Sequence, residues 1–463
     1  MTPRPALARW ESVAIGAAIA IASASLFVWS MGDLWIFRLA VLVLAALVFG
    51  GILRERAHPL LLSPALWLGL WAACLYVWIP ALFLAIHETA PLVVEGAVTA
   101  RDYVNIKIWN DSVAERSVIA FSAVALAIPA LVSVLSSGRH VSGERHTPQT
   151  SGAVAAAAAA IAGLLSGSRI AVQNWGQPVE GRVIGDLLDG AMPALSLAMA
   201  LAMLTWLRVQ RFGILVIFNF TLAWLAGILL WTHKLPALIT LSGAVSYAAA
   251  VPQHLWRGVA GVLAVGMAAC TALVIVSNMK PEYMEHPRLL IFGPVVQKIW
   301  GRQVDTGACL QNVIDRHTST TPHYGPTYFL TGLVPRFLWP EKPSLSQGSV
   351  YAIRFCDRTE TDIIPGRAHS ASITLLGEPL AEAGIPGMLV GMATVFVALG
   401  ALSWGAWFGG FYTRSVTIAL LPWLADFDQS LSFYIANSTK AALYMCGILG
   451  VIKLGECALR RRR

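Results

Sequence analysis

Charge is what this sequence has least of. Asp, Glu, Lys and Arg make up only 13% of 463 residues, about half the share of an ordinary soluble chain. Acids are the scarcer sign, 25 against 33 bases. A water-soluble domain of this length is thereby excluded. There is no CxxC pair and no His/Cys cluster at zinc spacing, so a structural metal is not expected. No heptad stretch, solenoid period or inverted repeat stands out, which argues against coiled coils and stacked-repeat folds. What fills the chain instead is apolar: 57% hydrophobic residues and a mean hydropathy of +0.66. Runs of about 18 or more apolar residues recur, each long enough to cross a bilayer as a helix. The expected class is an all-α polytopic membrane protein. The net charge of +8 is then no sign of nucleic acid, because Lys and Arg accumulate in the cytoplasmic loops of such proteins.

Spans are expected near 10–30, 34–53, 60–86, 113–135, 153–168, 190–208, 213–231, 235–251, 256–277, 385–404, 414–430 and 440–456, about twelve in all. The first run is too long for a signal-peptide core and is read as a retained anchor. Arg4, Arg9, Arg54, Arg56, Arg139, Arg145, Arg208, Arg211, Arg257, Arg414 and the run Arg460–Arg463 all fall on one side when the spans alternate. That side is cytoplasmic by the positive-inside rule, so both termini are placed there. Residues 1–277 thus form an N-terminal bundle of about nine spans, 278–379 a long outer loop, and 380–463 a C-terminal bundle of about three spans.

The long loop carries Arg288, Arg302, Arg316, Arg336, Arg354, Arg358 and Arg367 on the side that should be poor in them. Either long translocated loops escape the charge rule, or these arginines bind an anion. Cys309 and Cys356 both fall in this loop, while Cys74, Cys270 and Cys446 lie in spans. A Cys309–Cys356 bridge would close about 47 residues and stabilise by ~4 kcal/mol on the loop-entropy estimate. The stretch 324–339 is too apolar for open water and too broken by Gly and Pro for a span. Such backbone near a membrane survives only buried in protein or lining a cavity. Arg336 sits there between Pro335 and Pro340, which restrict its surroundings. Arg38 is a charge within an apolar run, close to an outer interface, and is expected to snorkel. The triplet Asp426-Phe427-Asp428 lies at a span end and reads as an interfacial polar cluster.

Two elements carry a resemblance. Pro335, Arg336, Pro340, Lys342 and Pro343 fit a Pro-Arg-x-x-x-Pro-x-Lys-Pro pattern, and Gly377, Glu378, Glu382, Gly384 and Gly387 fit Gly-Glu-x-x-x-Glu-x-Gly-x-x-Gly. Together they resemble the C-terminal half of bacterial O-antigen polymerases of the Wzy type, in a superfamily that includes O-antigen ligases. The order of long outer loop, Gly-Glu element and last spans resembles that family too. The arginine-to-glycine spacing of some members is not kept, since Arg336–Gly348 and Arg354–Gly366 are each one residue too long.

The resemblance implies a GT-C-like fold in the bacterial inner membrane, with the active site on the periplasmic side. It implies a membrane glycosyltransferase of lipopolysaccharide biosynthesis. A hydroxyl of one undecaprenyl-diphosphate-linked oligosaccharide attacks the anomeric carbon of another, and undecaprenyl diphosphate leaves. Donor and acceptor glycolipids, membrane lipids and a chain-length regulator are the expected partners; no cofactor, metal or nucleic acid is. The alternatives are an O-antigen ligase transferring the glycan to lipid A-core, and a lipid-linked oligosaccharide transporter. Guanidinium suits a diphosphate because its donors pair bidentately. One arginine at about 4 Å contributes on the order of 4 kcal/mol at an effective dielectric near 20. The diphosphate-binding candidates are Arg169, Arg336, Arg354, Arg367 and Lys342. The catalytic candidates are Arg336 and Arg367 with either His369 or Glu378 as base, and Trp300, Tyr324, Tyr328 and Trp339 are candidates to stack on sugar rings.

Overall fold

The computed structural model describes residues 10–27, 34–55, 57–82, 85, 108–136, 153–161, 191–209, 242, 245, 306–316, 334, 339, 341, 348–356 and 373–461. Helices dominate these residues, and no strand occurs among them. Five helices there are long and apolar enough to span a bilayer, as expected of a solvent that cannot satisfy an open backbone. The chain is a membrane-embedded helical protein. The expected spans at 213–231, 235–251 and 256–277 lie outside the described residues, apart from Ser242 and Val245.

Helix α1 is Trp10–Phe27, α2 is Trp35–Arg54, and α3 begins at Pro64 after a 3₁₀ turn, His58–Leu62. From Ala73 to Trp78, α3 loosens into a π-helical turn before resuming to Leu82. Helix α4 is Val113–Leu135, at the bounds expected from hydropathy. It is the central element, packed on α1, α3 and α2. Small residues let these backbones approach. Gly69 of α3 lies against Ala125 and Leu126, and a side chain at Gly51 of α2 would collide with the Trp10 ring. Glu11 accepts a hydrogen bond from Ser133 at 3.0 Å, joining the start of α1 to the end of α4.

Beyond α4, α5 is 153–161 and α6 is Ala191–Val209. Two helices of the expected long loop follow, α7 at 306–316 and α8 at Gly348–Phe355. The C-terminal region is α9 (Thr374–Phe408), α10 (Phe411–Leu424) and α11 (Leu431–Arg461). Helix α9 starts well before the expected span at 385, and α11 before 440. The arm of α9 before that point is apolar but interrupted by Glu378 and Glu382, and in the first turns of α11 Asn437 donates to Gln429 at 3.2 Å.

Helix α9 breaks at Ala383 and Gly384, where Gly384 has φ 65° and ψ −159°. That region is open essentially to glycine alone. Before the break lies a buried arm, Thr374 to Glu382; after it, Ile385, Leu389, Val390 and Val397 are exposed, the face expected to meet lipid. Phe121 of α4 stacks on Phe396 of α9 and tilts against Phe427, with ring centroids 5.1 and 5.0 Å apart. Ser63 and Ser403 share a hydrogen bond of 2.7 Å, and Arg414 donates to the Ala406 carbonyl near the end of α9. The bundle therefore has two distinct ends, one marked by Arg54 and Arg414 and the other by Arg38.

Candidate functional site

The Arg38 end gathers the buried polar residues. Ser112 caps α4 by accepting the Glu115 N–H at 3.0 Å, the Ser-x-x-Glu pattern that starts helices. Asp111 stands before it with φ 61°, a conformation that aspartate tolerates better than most residues. The Glu115 carboxylate accepts Arg38 Nε at 2.8 Å and a terminal guanidinium nitrogen at 2.9 Å, and also the Asp111 N–H at 2.9 Å. Arg38 donates further to Asn110 at 2.6 Å and lies over the Trp35 ring at 5.1 Å. The expected snorkelling of Arg38 is thus corrected. It is 2% exposed, because a partner at the N-terminus of α4 meets its fork inside the protein. Charges inside a bilayer pair in this way when a partner exists.

Next to this corner, Trp109 donates its indole N–H to the Tyr76 carbonyl at 2.8 Å, on the π-helical turn of α3. The Tyr76 hydroxyl donates to Asp428 at 2.5 Å. Asp426, Phe427 and Asp428 form the turn from α10 to α11, and all three are buried. They are a packed turn, enclosed by protein. Asp426 accepts from Gln429 at 2.8 Å, and the Phe427 carbonyl accepts the Leu375 N–H at 3.3 Å. That last bond comes with Thr374 at φ 68°, an unusual conformation for a β-branched residue. Strained backbone therefore marks the start of the Gly-Glu element.

One turn on, Glu378 is 3% exposed and accepts the backbone N–H of Ser432, in the first turn of α11, at 2.5 Å. Its other oxygen, Oε1, has no hydrogen-bond partner. Glu382, also buried, accepts the Tyr351 hydroxyl at 3.3 Å. Tyr351 belongs to α8, which packs with α7 over this arm of α9. Cys309, Val313, Tyr351, Phe355, Ile373, Leu380 and Ala381 make a small apolar core of their own. Cys309 and Cys356 are disulfide-bonded, with Cα atoms 4.7 Å apart. Asn312 donates to the Phe355 carbonyl at 2.7 Å, Arg316 to the Arg354 carbonyl at 3.0 Å, and Gln311 accepts the Ala114 N–H at 3.0 Å. The two helices are thus a tied cover, docked on both α9 and the start of α4.

Of the residues expected from sequence, the structure brings together Glu378, Cys309, Cys356 and Arg354. Arg354 lies on the same short helix as Tyr351 and is half-buried. Trp339 is exposed. Arg169, Trp300, Tyr324, Tyr328, Arg336, Lys342, Arg367 and His369 lie outside the described residues. Sequence reasoning missed Tyr351, Tyr76 and the Arg38–Glu115 pair as members of this end. Two signals pointed there: a lone arginine in an apolar run, and a Ser-x-x-Glu pattern opening the fourth span. Compared with family models, curated proteins and solved structures, the chain matches none.

Proposed function

We propose that this chain is a membrane glycosyltransferase that polymerises undecaprenyl-diphosphate-linked oligosaccharide units at the periplasmic face of the bacterial inner membrane. The observation that carries this reading is the setting of the Gly-Glu element. It forms the buried arm of a kinked helix, under a disulfide-tied cover, at the bundle end away from Arg54 and Arg414. A disulfide suits an oxidising compartment, and the opposite, arginine-marked end suits the cytoplasm. Both signals support a reading in which the cover faces the periplasm.

The chemistry asks for cations near a leaving diphosphate and an acceptor for a hydroxyl proton. As the anomeric bond breaks, charge grows on the diphosphate oxygens, and fixed cations stabilise it more than they stabilise the ground state. Arg354, beside Tyr351 in the cover, is the described candidate; Arg169, Arg336, Lys342 and Arg367 are those named from sequence. A lipid-linked donor brings its diphosphate to the headgroup level. A cover at the membrane surface can meet it there without the substrate leaving the bilayer.

The deciding experiment supplies purified protein with an undecaprenyl-diphosphate-linked glycan extracted from source cells lacking this chain. A ladder of lengthening glycans on the polyprenyl carrier is expected. Transfer to added lipid A-core instead identifies a ligase. Movement of the glycolipid across vesicle membranes with no new glycosidic bond identifies a transporter.

A further inference from the structure

Lys440 is a charge that the rest of the fold leaves over. It lies inside the apolar stretch Leu431–Gly455 of α11, where the expected last span begins. Among the described residues it makes no ion pair and no hydrogen bond. Nor do the helices packed against it bring a carboxylate to its level. Helix α11 packs on α10, α9 and α6. The described residues of α10 and α6 include no Asp or Glu. Those of α9 are Glu378 and Glu382, and Glu378 is held at the Ser432 N–H. Ser432 precedes Lys440 by eight residues, about 12 Å along a helix. The expected spans at 213–231, 235–251 and 256–277 contain no acid either.

Its position along α11 says what meets it. Leu443, three residues on, is exposed, as are Val451 and Leu454. A side chain at Gly447 or Gly450 would meet nothing within 4 Å. These positions follow Lys440 at helical spacing, so it heads a face that looks into lipid. No large hydrophobic residue of α11 before Lys440 is exposed, which puts it at the edge of that face. One turn earlier on the same face, Asn437 donates to Gln429 and makes a polar rim. An ammonium in hydrocarbon without a counter-charge is costly. At the edge of the apolar band its flexible stem carries it to the headgroup level, where phosphates are the abundant anions. We propose that Lys440 binds the phosphate of an anionic glycerophospholipid in the leaflet on the cover's side, with the acyl chains lying along the Leu443–Leu454 face. Charge selects this occupant. One ammonium balances one phosphodiester, and the next cation of α11, Lys453, is 13 residues away over the Tyr412 ring. A lipid diphosphate carries more negative charge than Lys440 alone offsets. The inference does not rest on the glycosyl-transfer reading.

The test titrates dioleoylphosphatidylglycerol or dioleoylphosphatidylcholine into the purified full chain in a neutral detergent and counts retained lipids by native mass spectrometry. The wild type should hold phosphatidylglycerol more tightly than phosphatidylcholine. Lys440→Met should weaken phosphatidylglycerol binding about fivefold, the usual weight of one lysine at an anionic surface, and leave phosphatidylcholine unchanged. Lys440→Arg keeps the charge and should bind within about twofold of the wild type. Comparing variants separates this site from the arginines of the opposite end. Wild-type phosphatidylglycerol affinity in Lys440→Met overturns the inference, and so does equal affinity of the wild type for the two lipids. Undecaprenyl diphosphate displacing phosphatidylglycerol from the wild type, but not from Lys440→Met, at about a tenth of its concentration overturns the phospholipid as occupant. Should Lys440→Met not elute as a monodisperse peak, Lys440→Gln takes its place with the same expected loss.

Discussion

Two buried glutamates share one end of this molecule and could hardly be treated more differently. Glu115 has both oxygens engaged by the Arg38 fork, with a backbone N–H added. Glu378 has one oxygen on a helix start and nothing on the other. Both are among the most enclosed polar residues of the chain. The Arg38 corner is closed: one guanidinium meets Glu115, Asp111 and Asn110, tying α2 to the start of α4. At the Glu378 corner one carboxylate oxygen stays without a hydrogen-bond partner, under a cover built on a separate small core. Completeness of pairing, rather than burial, separates the two carboxylates.

The contrast can be broken most forcefully at Arg38. Arg38→Met leaves Glu115 buried without its cation and should cost about 3–5 kcal/mol, whereas adding Glu115→Leu should recover most of that. Thermal unfolding in detergent measures both; an unchanged midpoint in the single variant would mean the corner does not lock the bundle. At the other corner, Cys309→Ser should loosen the cover by up to about 4 kcal/mol on the loop-entropy estimate. Denaturant unfolding followed from the cover should shift while the bundle's transition stays. Both thiols reacting with an alkylating agent in unreduced, unfolded protein would remove the bridge. Gly384→Ala forces a Cβ into backbone at φ 65° and should cost about 1–3 kcal/mol, read as a lower unfolding temperature with α9's buried arm displaced. The smallest effect is expected far from either glutamate. Ser196 donates to the Ala419 carbonyl at 2.7 Å, and Ser196→Ala should cost only about 0.6 kcal/mol, the average for interhelical hydrogen bonds in membranes.

Much of the helical plan was legible in the sequence. Hydropathy placed α4 at its observed bounds and α2 within one residue, because an unbroken apolar run leaves the backbone no partner but itself. It failed where helices run on into polar turns. The arm of α9 carrying Glu378 and the first turns of α11 fell outside the expected spans, since Glu378, Glu382 and Asn437 interrupt the apolar runs there. The family resemblance singled out the Gly-Glu element, and α9 breaks at its Gly384. The two loop cysteines suggested a bridge that the structure contains. Tyr351 left no such trace, for a tyrosine in a loop looks the same whether it faces water or a buried carboxylate.

The sequence by itself determined that this chain is helical and lies in a membrane, and that Arg54 and Arg414 fall at one end. Those properties are sums over neighbouring residues: hydropathy along a run, charge between runs. Only the tertiary structure decided which polar groups are spoken for. Arg38 meets Glu115 across 77 residues and Tyr76 meets Asp428 across 352. Pairing at such range depends on how whole helices pack, and no local pattern encodes which oxygen will be left over.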